Sequence, residues 1–453
     1  MSMSLTTDTI IAPATALGGA LVVVRLSGEQ AIAIADRLFE GRTPLAAAKS
    51  HTAHFGAIRI QNRLLDEVVA TLFRAPHSYT GEDTVEFSCH GSRYITSELL
   101  HAACREGARI AEAGEFTRRA YLNGRLDLSQ AEAVADLIAS SSAAAHRLAT
   151  NQMRGGYSSA LDRLRDELLQ LTALLELELD FSEEDVEFAD RGQLARTMEA
   201  IRDEIGRLRH SFALGNALKE GVAVAIIGAP NVGKSTLLNA LLQEDRAMVS
   251  EIAGTTRDVI EERLTIDGVL FRILDTAGIR HTSDRLELMG IERTMESIRR
   301  AAIVVRMVDA TTLDGACIPA PDFTLREDQQ LLTVLNKIDT APTVTRSDGT
   351  IALSARTGEG IDRLRAALRA AVPTEQLDEG AVIVSSARHH EALSTALTAL
   401  DRALTGLHEG LPTDLLSEEI RCVIAAVGSI TARGVILPEE VLGTLFSHFC
   451  IGK

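Results

Sequence analysis

The chain of 453 residues contains no tryptophan, and aromatic residues make up only 4% of it. Extended platforms on which nucleic-acid bases stack are therefore not expected. Its five cysteines are scattered and form no C-x-x-C pair, so we expect neither a disulfide framework nor a zinc site. The sequence shows no secretory signal and no run of about 18 apolar residues. These absences predict a protein of the reducing cytoplasm with no membrane association.

Basic residues are also scarce, because 46 Lys and Arg stand against 63 Asp and Glu and give a net charge of −17. This balance argues against non-specific coating of a polyanion and favours solubility. A local basic patch could still bind RNA. The length suits about three domains, and a hydrophobic content of 46% is ample for buried cores.

The most informative segment is Gly228–Ser235, which reads G-A-P-N-V-G-K-S. It matches G-x-x-x-x-G-K-[ST], follows an apolar run and precedes helix-forming residues, which is the context of a phosphate-binding loop. Glycines let successive backbone N–H groups converge on phosphate oxygens at a helix start. We expect Lys234 to reach the β- and γ-phosphates and Ser235 to bind Mg²⁺.

Three later segments indicate which nucleotide is bound. Asp275-Thr276-Ala277-Gly278 follows a predicted hairpin, where the Asp can approach Mg²⁺ through water and the Gly amide can meet the γ-phosphate. In Asn336-Lys337-Ile338-Asp339, the Asp carboxylate can accept both N–H groups of a guanine edge. Ser354-Ala355-Arg356 completes the base pocket. In this order the motifs resemble those of the translation-factor-type GTPases.

A loop between the first two motifs contains Gly254-Thr255-Thr256. A threonine at this switch position normally completes the Mg²⁺ shell, and we assign that role to Thr256; a loop threonine without a metal role is the alternative. The predicted GTP-binding residues are Asn231, Val232, Gly233, Lys234, Ser235, Thr236, Ser250, Glu251, Ile252, Ala253, Gly254, Thr255, Thr256, Asp275, Thr276, Ala277, Gly278, Asn336, Lys337, Asp339, Ser354, Ala355 and Arg356.

The distribution of patterns predicts an α/β multidomain protein. Short strand-like runs alternate with helices in residues 1–118, and helical leucine spacing dominates 119–218. The P-loop GTPase (G) domain, Ras-like in type, occupies 219–375. Helical spacing returns in 376–453, so we expect the G domain to be inserted into one all-α helical domain.

Further motifs resemble the tRNA modification GTPase family known as MnmE or TrmE, over essentially the whole chain. They are D-T-I-I-A-P-A-T from Asp8, S-Y-T-G-E-D-T-V-E from Ser78, G-E-F-T-R-R-A-Y-L-N-G-R from Gly114 and F-C-I-G-K from Phe449. The resemblance implies an N-terminal domain that is similar to folate-binding modules, forms a homodimer and binds 5-formyl- or methylene-tetrahydrofolate. It implies a heterotetramer with a flavin-dependent MnmG/GidA-family protein. That complex adds an aminomethyl or carboxymethylaminomethyl group to C5 of the wobble uridine (position 34) of certain tRNAs.

The same resemblance assigns folate-binding residues. Arg25 and Arg125 would offer cations to a pterin–glutamate ligand, Glu86 would accept N–H donors of its pyrimidine-like edge, and the terminal Lys453 would add a contact. Arg125 stands where the family frequently has Lys, which keeps the charge and changes the donor geometry. A solvent-facing strand-end Arg and a water-facing Glu are the alternatives.

For catalysis of GTP hydrolysis, the position that carries a water-orienting Gln in Ras-like GTPases is Ile279 here. The segment around Glu287 resembles the family stretch that supplies an essential glutamate, although an exposed helix-start carboxylate is the alternative. Oxygen atoms of Asn231, Ser250, Ile252 and Thr255 suit a K⁺ ion against the phosphates. In the family, the loop that carries the last three of these residues orders when two G domains meet.

Cys450 is a candidate for the modification chemistry by the same resemblance. A thiol acts as a nucleophile only where a nearby cation lowers its pKa, and a small buried residue is the other interpretation. Two alternatives to the leading function remain open at this stage. One is a ribosome-assembly GTPase switch without substrate chemistry, and the other is a GTP-gated scaffold whose helical domain docks partners.

Overall fold

The computed structural model describes residues 8–180, 191–246, 262–274, 287–313, 318, 321, 323–341, 349–374, 382–432, 439–447, 449 and 452. The chain forms two compact units, one of Met1–Ala135 with Val427–Lys453 and one of Asp136–Ala426. Both borders of this division fall inside helices. The predicted division into 1–118, 119–218, 219–375 and 376–453 stays a prediction.

A seven-stranded sheet forms the centre of the first unit. Its strands are β1 (Thr9–Pro13), β2 (Leu21–Ser27), β3 (Phe39–Gly41), β4 (Thr52–Ile60), β5 (Arg63–Phe73), β6 (Thr84–His90) and β7 (Ala108–Ile110). They lie in the order β3-β4-β5-β6-β2-β1-β7, and only β1 and β7 pair in parallel. Alternate residues of β2, such as Val22 and Val24, are buried because one face of this sheet covers the core.

Several helices complete the first unit. They are α1 (Ala31–Leu38), α2 (Arg93–Arg105), α3 (Glu115–Leu122), the start of α4 (Leu128–Ala139) and, near the end of the chain, α14 (Glu439–Phe446). Leu128 of α4 and Phe446 of α14 belong to one hydrophobic cluster. Gly114 adopts φ 66°, and a Cβ there would lie 2.7 Å from the carbonyl oxygen of Phe446. The α3 N-terminus therefore requires glycine at this contact.

The second unit contains a six-stranded sheet. Its strands are β8 (Val222–Gly228), β9 (Glu262–Ile266), β10 (Val269–Leu274), β11 (Ile303–Asp309), β12 (Gln330–Asn336) and β13 (Thr350–Ala352), in the order β13-β12-β11-β8-β10-β9. Every pair is parallel except β9 with β10. The turn between these two strands, Asp267-Gly268, has positive φ at both residues, as the sequence predicts for a two-residue hairpin loop.

Helices make up most of the remainder of the described part of this unit. They are α5 (Ala143–Met153), α6 (Gly156–Asp180), α7 (Arg191–His210), α8 (Phe212–Glu220), α9 (Lys234–Arg246), α10 (Glu287–Arg300), α11 (Ile361–Ala370), α12 (Ala387–His408) and most of α13 (Thr413–Thr431). The leucines predicted from helical spacing in α6 are buried at 161, 164, 168, 171 and 175. Leu179 is also in α6, and its side chain lies outside the described residues.

Most of the apolar side chains of the six-stranded sheet share one core with α5 and α8, including Leu148, Leu218 and Phe271. Helices that precede the sheet in the chain are thus part of its hydrophobic packing. Among the described residues, none of the helices has the length and apolarity that crossing a bilayer requires. The mixed α/β character predicted from the sequence is confirmed by the two sheets and their helices.

Candidate functional site

The phosphate-binding loop joins β8 to α9 at the carboxyl edge of the six-stranded sheet. Gly228 and Gly233 have φ of 153° and 103°, and a Cβ on Gly228 would lie 2.6 Å from the Met307 carbonyl oxygen. A Cβ on Gly233 would collide with the side-chain amide of Asn336. Both glycines are therefore needed for the loop to close, and the backbone N–H groups at the start of α9 are left to face an anion.

Lys234 begins α9 and folds back over this loop. Its Nζ donates to the carbonyl oxygens of Gly228 at 2.8 Å and Ala229 at 3.0 Å. Burial lowers the pKa of the ammonium, because desolvation penalises the charged form. Ser235 and Thr236 follow in the first turn and are exposed. The loop thus presents one cation and two hydroxyl groups, a set that fits phosphate oxygens with Mg²⁺.

The predicted base pocket lies at the ends of β12 and β13. Asn336 is buried, donates from Nδ2 to the Val232 carbonyl oxygen at 2.7 Å and accepts from the Ala355 N–H at 2.9 Å. It therefore ties the base loop both to the phosphate loop and to the Ser354-Ala355-Arg356 segment. The structure brings these sequence-predicted residues together.

Asp339 presents its carboxylate beside that segment. Its Oδ1 accepts from the Ser354 hydroxyl at 2.7 Å, and its Oδ2 accepts from Arg356 Nη2 at 2.7 Å. These contacts hold the pKa of Asp339 below its ordinary value, with the Ser354 hydrogen bond the largest cause. Recognition of two guanine N–H donors requires an ionised carboxylate, and the lowered pKa of Asp339 favours that form.

A second cluster surrounds Arg25 in the first unit. Arg25 pairs with Glu86 across β2 and β6, and its Nε donates to Glu86 Oε1 at 2.7 Å. The guanidinium carbon lies 5.4 Å from the Tyr79 ring centre and 5.5 Å from that of Phe116, within the range of cation–π contacts. Arg25 is thus held by one carboxylate and two aromatic rings.

Residues of the two other segments predicted for this site are partly described. The side chain of Arg125 lies against Gly81, where an added Cβ would stand 3.1 Å from its Cγ. Arg25 Nη1 approaches the Gly452 carbonyl oxygen at 3.5 Å. Gly452 is itself buried with φ 95°, and a Cβ there would collide with the Pro13 carbonyl oxygen. The penultimate residue of the chain therefore lies beside the Arg25–Glu86 pair.

Some predicted site residues lie outside the described residues. They are Ser250, Glu251, Ile252, Ala253, Gly254, Thr255, Thr256, Asp275, Thr276, Ala277, Gly278, Cys450 and Lys453. Glu287 is the first residue of α10, and its side chain also lies outside them. Among the described residues, no group of three His, Cys, Asp or Glu side chains could hold a metal ion.

The sequence analysis missed Tyr79, Phe116 and Arg119. Tyr79 belongs to the segment from Ser78 that carries the family resemblance, which is the signal that could have identified it. Its hydroxyl shares a 2.8 Å hydrogen bond with Thr117, and burial raises the pKa of the phenol. Arg119 is 2% exposed and contacts three carboxylates, those of Asp8, Glu82 and Glu115. The spacing of Asp8, Glu82 and Arg119 in the sequence does not indicate that their side chains are in contact.

Comparison with known proteins gives the family. Residues 9–125 match the family described as GTP-binding protein TrmE N-terminus, and residues 128–450 match the MnmE helical domain. A tRNA modification GTPase MnmE of Cytophaga hutchinsonii is 48% identical over 454 residues, covering 99% of this chain and 98% of that protein. The protein of that name from Bacteroides thetaiotaomicron is 47% identical over 464 residues, covering 98% and 99%.

Among solved structures, the chain is similar to the FeoB G-domain from Methanococcus jannaschii. The identity is 27%, the match covers 33% of this chain and 96% of that chain, and the TM-score is 0.23. The family matches, which cover nearly the whole sequence, confirm the predicted family and fold class. The chain belongs to the MnmE family of tRNA modification GTPases and is a GTP-hydrolysing enzyme.

Proposed function

We propose that this GTPase modifies C5 of the wobble uridine of certain tRNAs together with a flavin-dependent protein of the MnmG/GidA family. A tetrahydrofolate derivative supplies the one-carbon unit, and an aminomethyl or carboxymethylaminomethyl group results. The active assembly is a heterotetramer built on a homodimer of this chain, and it works in the cytoplasm. Residues 1–118 carry the folate site together with Arg125 and the C-terminal Lys453. Residues 219–375 carry the G domain, and the two helical segments form one domain.

The observation that supports the folate part most directly is the Arg25 cluster. Arg25 and Glu86 have side-chain exposures of only 14% and 25%, so their charges are largely withdrawn from water. A half-buried pair of this kind offers a donor fork and an acceptor to a ligand with both N–H groups and carboxylates. The rings of Tyr79 and Phe116 add apolar surface for a flat heterocycle. Arg125, whose side chain lies against Gly81, two residues after Tyr79 in the chain, is proposed as a second cation for the ligand.

Replacement of Arg25 by alanine is expected to weaken binding of 5-formyltetrahydrofolate at least tenfold, since hydrogen bonds to charged groups contribute roughly 1.5–3 kcal/mol. Isothermal titration calorimetry on the full chain measures this loss. Arg37→Ala is the matched control, because Arg37 forms an exposed ion pair with Glu106 on the same unit. Equal affinity of wild type and Arg25→Ala would remove Arg25 from the site.

In the G domain, Ser235 and Thr256 are proposed to bind Mg²⁺, and Asn231, Ser250, Ile252 and Thr255 to bind K⁺. The two described residues of this set can reach a cation at the phosphates, because both are exposed. Ser235 lies in the first turn of α9, and Asn231 lies in the loop before it. When bound, the two cations supply positive charge against the phosphates as negative charge develops. Lys234 and the loop N–H groups hold the nucleotide, and Asn336, Asp339 and Ser354 orient its base.

The modification itself is tested by mass spectrometry of wobble nucleosides from cells that lack this protein. Loss of the C5 substituents, restored by the wild-type gene, is expected. A normal wobble nucleoside together with defective rRNA maturation would instead identify a ribosome-assembly switch. If neither nucleosides nor rRNA change and partner complexes are lost, the protein is a scaffold.

Cys450 is proposed to act in the modification and not in GTP hydrolysis, because it lies in the sequence far from the GTPase motifs. Cells that carry Cys450→Ser are expected to leave the wobble uridine unmodified, while the purified variant turns over GTP as wild type does. Full modification by this variant would reduce Cys450 to a packing residue.

A further inference from the structure

Asp309 lies at the carboxyl end of β11 and holds two different parts of the G domain. Its Oδ2 accepts from Lys337 Nζ at 2.6 Å. Its Oδ1 accepts from the backbone N–H of Thr311 at 3.0 Å and from the Thr311 hydroxyl at 2.7 Å. The Asp309 side chain is only 16% exposed. One carboxylate therefore both caps the 3-10 turn Ala310–Thr312 and pairs with a lysine of the base loop.

Burial of Asp309 raises the pKa of its carboxyl group, and the hydrogen bonds from Lys337 and Thr311 outweigh this and leave the pKa below its ordinary value. The carboxylate is therefore ionised at neutral pH and forms a charge-assisted pair with Lys337. The two partners are 28 residues apart in the chain, and no sequence motif links them.

Lys337 is the second residue of the N-K-x-D motif, and its backbone has φ 68°, a left-handed conformation that is uncommon outside glycine. Asn336 on one side is tied to Val232 and Ala355. Asp339 on the other side is tied to Ser354 and Arg356. The Lys337–Asp309 pair is a third tie, from the base loop to the end of β11.

The position of this tie matters because β11 and β12 run in parallel, with Asp309 paired to Asn336 in the register. Ligands of open α/β sheets bind outside the carboxyl ends of the strands. With its ammonium fixed at the end of β11, the methylene stem of Lys337 spans the gap between the two strand ends. The Lys337 side chain therefore lies at the sheet edge where the guanine base is proposed to bind.

We propose that Asp309 is a positioning residue for guanine nucleotides, which fixes the Lys337 side chain and so orders the base loop before GTP or GDP binds. A free lysine side chain loses substantial rotamer freedom when a ligand immobilises it. A lysine already held by Asp309 does not, and preorganisation of this kind improves affinity. Asp309 acts on the nucleotide through Lys337, so its effect is on binding and not on the hydrolytic step.

The decisive variant is Asp309→Asn, because the asparagine carbonyl still accepts from Thr311 while the negative charge that holds Lys337 is gone. The Kd of the purified full chain for a fluorescent GDP analogue is expected to rise about fivefold, the scale of a partly exposed ion pair. The rise should appear in the dissociation rate measured by stopped flow. GTP should be affected equally, because the γ-phosphate is at the other end of the site. In GTPase assays, KM should therefore rise while kcat changes less than twofold.

Two control variants separate this role from a structural one. Thr311→Val removes the hydroxyl of the turn and leaves the Lys337 pair, and Asp328→Asn removes an equal charge that pairs with Arg326 on the surface. Both are expected to bind the GDP analogue as wild type does. An equal rise in Kd in Thr311→Val would assign the effect to the turn and overturn the proposal.

A double-mutant cycle with Lys337→Met gives the sharpest outcome. Methionine keeps an unbranched apolar stem and lacks the ammonium, so Asp309 has nothing left to position. Asp309→Asn should then add no further loss of nucleotide affinity in the Lys337→Met background. A fivefold loss in both backgrounds, or an unchanged Kd in Asp309→Asn alone, would refute the positioning role.

Discussion

Glu287→Ala is expected to bind GTP as wild type does and to lose roughly 10²-fold or more in kcat, the scale of a positioned acid–base group. Binding should be retained because the contacts that hold the nucleotide come from the phosphate loop and the base loop. Turnover should fall because Glu287 is the proposed water-orienting group. Ile279 stands at the position of the usual glutamine and has no polar group. Some other side chain must then orient the attacking water.

Glu287 lies at the start of a helix whose far end is anchored on the sheet. Glu287 is the first residue of α10, and Ile298 near the other end of the helix is buried in a cluster with Ile227 and Leu274. The helix is thus anchored on β8 and β10, the strands that precede the phosphate loop and the Asp275–Gly278 motif. Glu296→Ala is the control, since Glu296 is exposed on the same helix. Unimpaired single-turnover hydrolysis by Glu287→Ala would remove Glu287 from catalysis.

Potassium dependence can be tested on the same protein. Turnover is expected to be fast in KCl and slow in NaCl at equal ionic strength, and to rise with protein concentration as G domains associate. Asn231 has φ 61°, so Asn231→Gly removes the amide oxygen without imposing backbone strain. This variant should lose most of the difference between the two salts. Equal turnover of wild type in KCl and NaCl would contradict the K⁺ site.

Among the described residues, the phosphate loop was the most predictable part of the protein because its geometry is encoded locally. Gly228, Gly233 and Lys234 are fixed by a loop of eight residues, and the hairpin turn Asp267-Gly268 by two. The folding of the base loop onto the phosphate loop through Asn336 follows from motif order, because parallel strand ends meet at one edge. Helical leucine spacing likewise predicted the buried face of α6.

Contacts between distant segments were not predictable in this way. Tyr79 and Phe116 meet Arg25 because a strand, a loop and α3 converge, and the spacing of these residues does not encode that convergence. β1 and β7 were also not predicted; they are short, and their pairing joins Thr9 to Ala108. The pairing of Asp309 with Lys337 was also not predicted, because the sequence shows Asp309 only as an acidic residue at the end of a strand. Tyr79, Phe116 and Asp309 share one property: each acts through a charged or aromatic partner that only the tertiary fold brings near it.

Arg119→Met is expected to destabilise the first unit by about 3–5 kcal/mol, the cost of leaving buried charges without their partner. Arg119 Nη2 lies 2.7 Å from Asp8 and 3.1 Å from Glu115, and its Nη1 lies 3.1 Å from Glu82. The Glu115 side chain is 0% exposed, so water does not compensate for the lost cation. Methionine fills most of the same volume, which limits the contribution of a cavity.

Hydrogen exchange of the full chain measures this effect locally, in peptides from β1, β2 and α3. At pH 7, exchange of their most protected amides should accelerate by about 10²–10⁴-fold, because each 1.4 kcal/mol corresponds to a factor of ten. Arg105→Met is the control, since Arg105 is exposed at the end of α2. Equal protection in Arg119→Met and wild type would show that Arg109, which also contacts Glu115 at 2.6 Å, is sufficient to hold the cluster.

The pH dependence of the same measurement tests the electrostatic cause. Burial raises the pKa of Glu115, and its hydrogen bonds from Arg109, Glu112 and Arg119 outweigh this and hold the pKa below the ordinary value of 4.5. A carboxyl whose pKa is lower in the folded state contributes stability above its unfolded pKa, and this stability is lost as the pH falls through the folded pKa. Without Arg119, the pKa of Glu115 in the folded state rises. As the pH falls, the Glu115 carboxylate of the variant is therefore neutralised at a higher pH than in wild type, which removes the cost of burying its charge. The stability difference between the two proteins should therefore be full at pH 7 and narrow below the ordinary pKa. A difference that stays constant on acidification would indicate lost packing rather than lost charge.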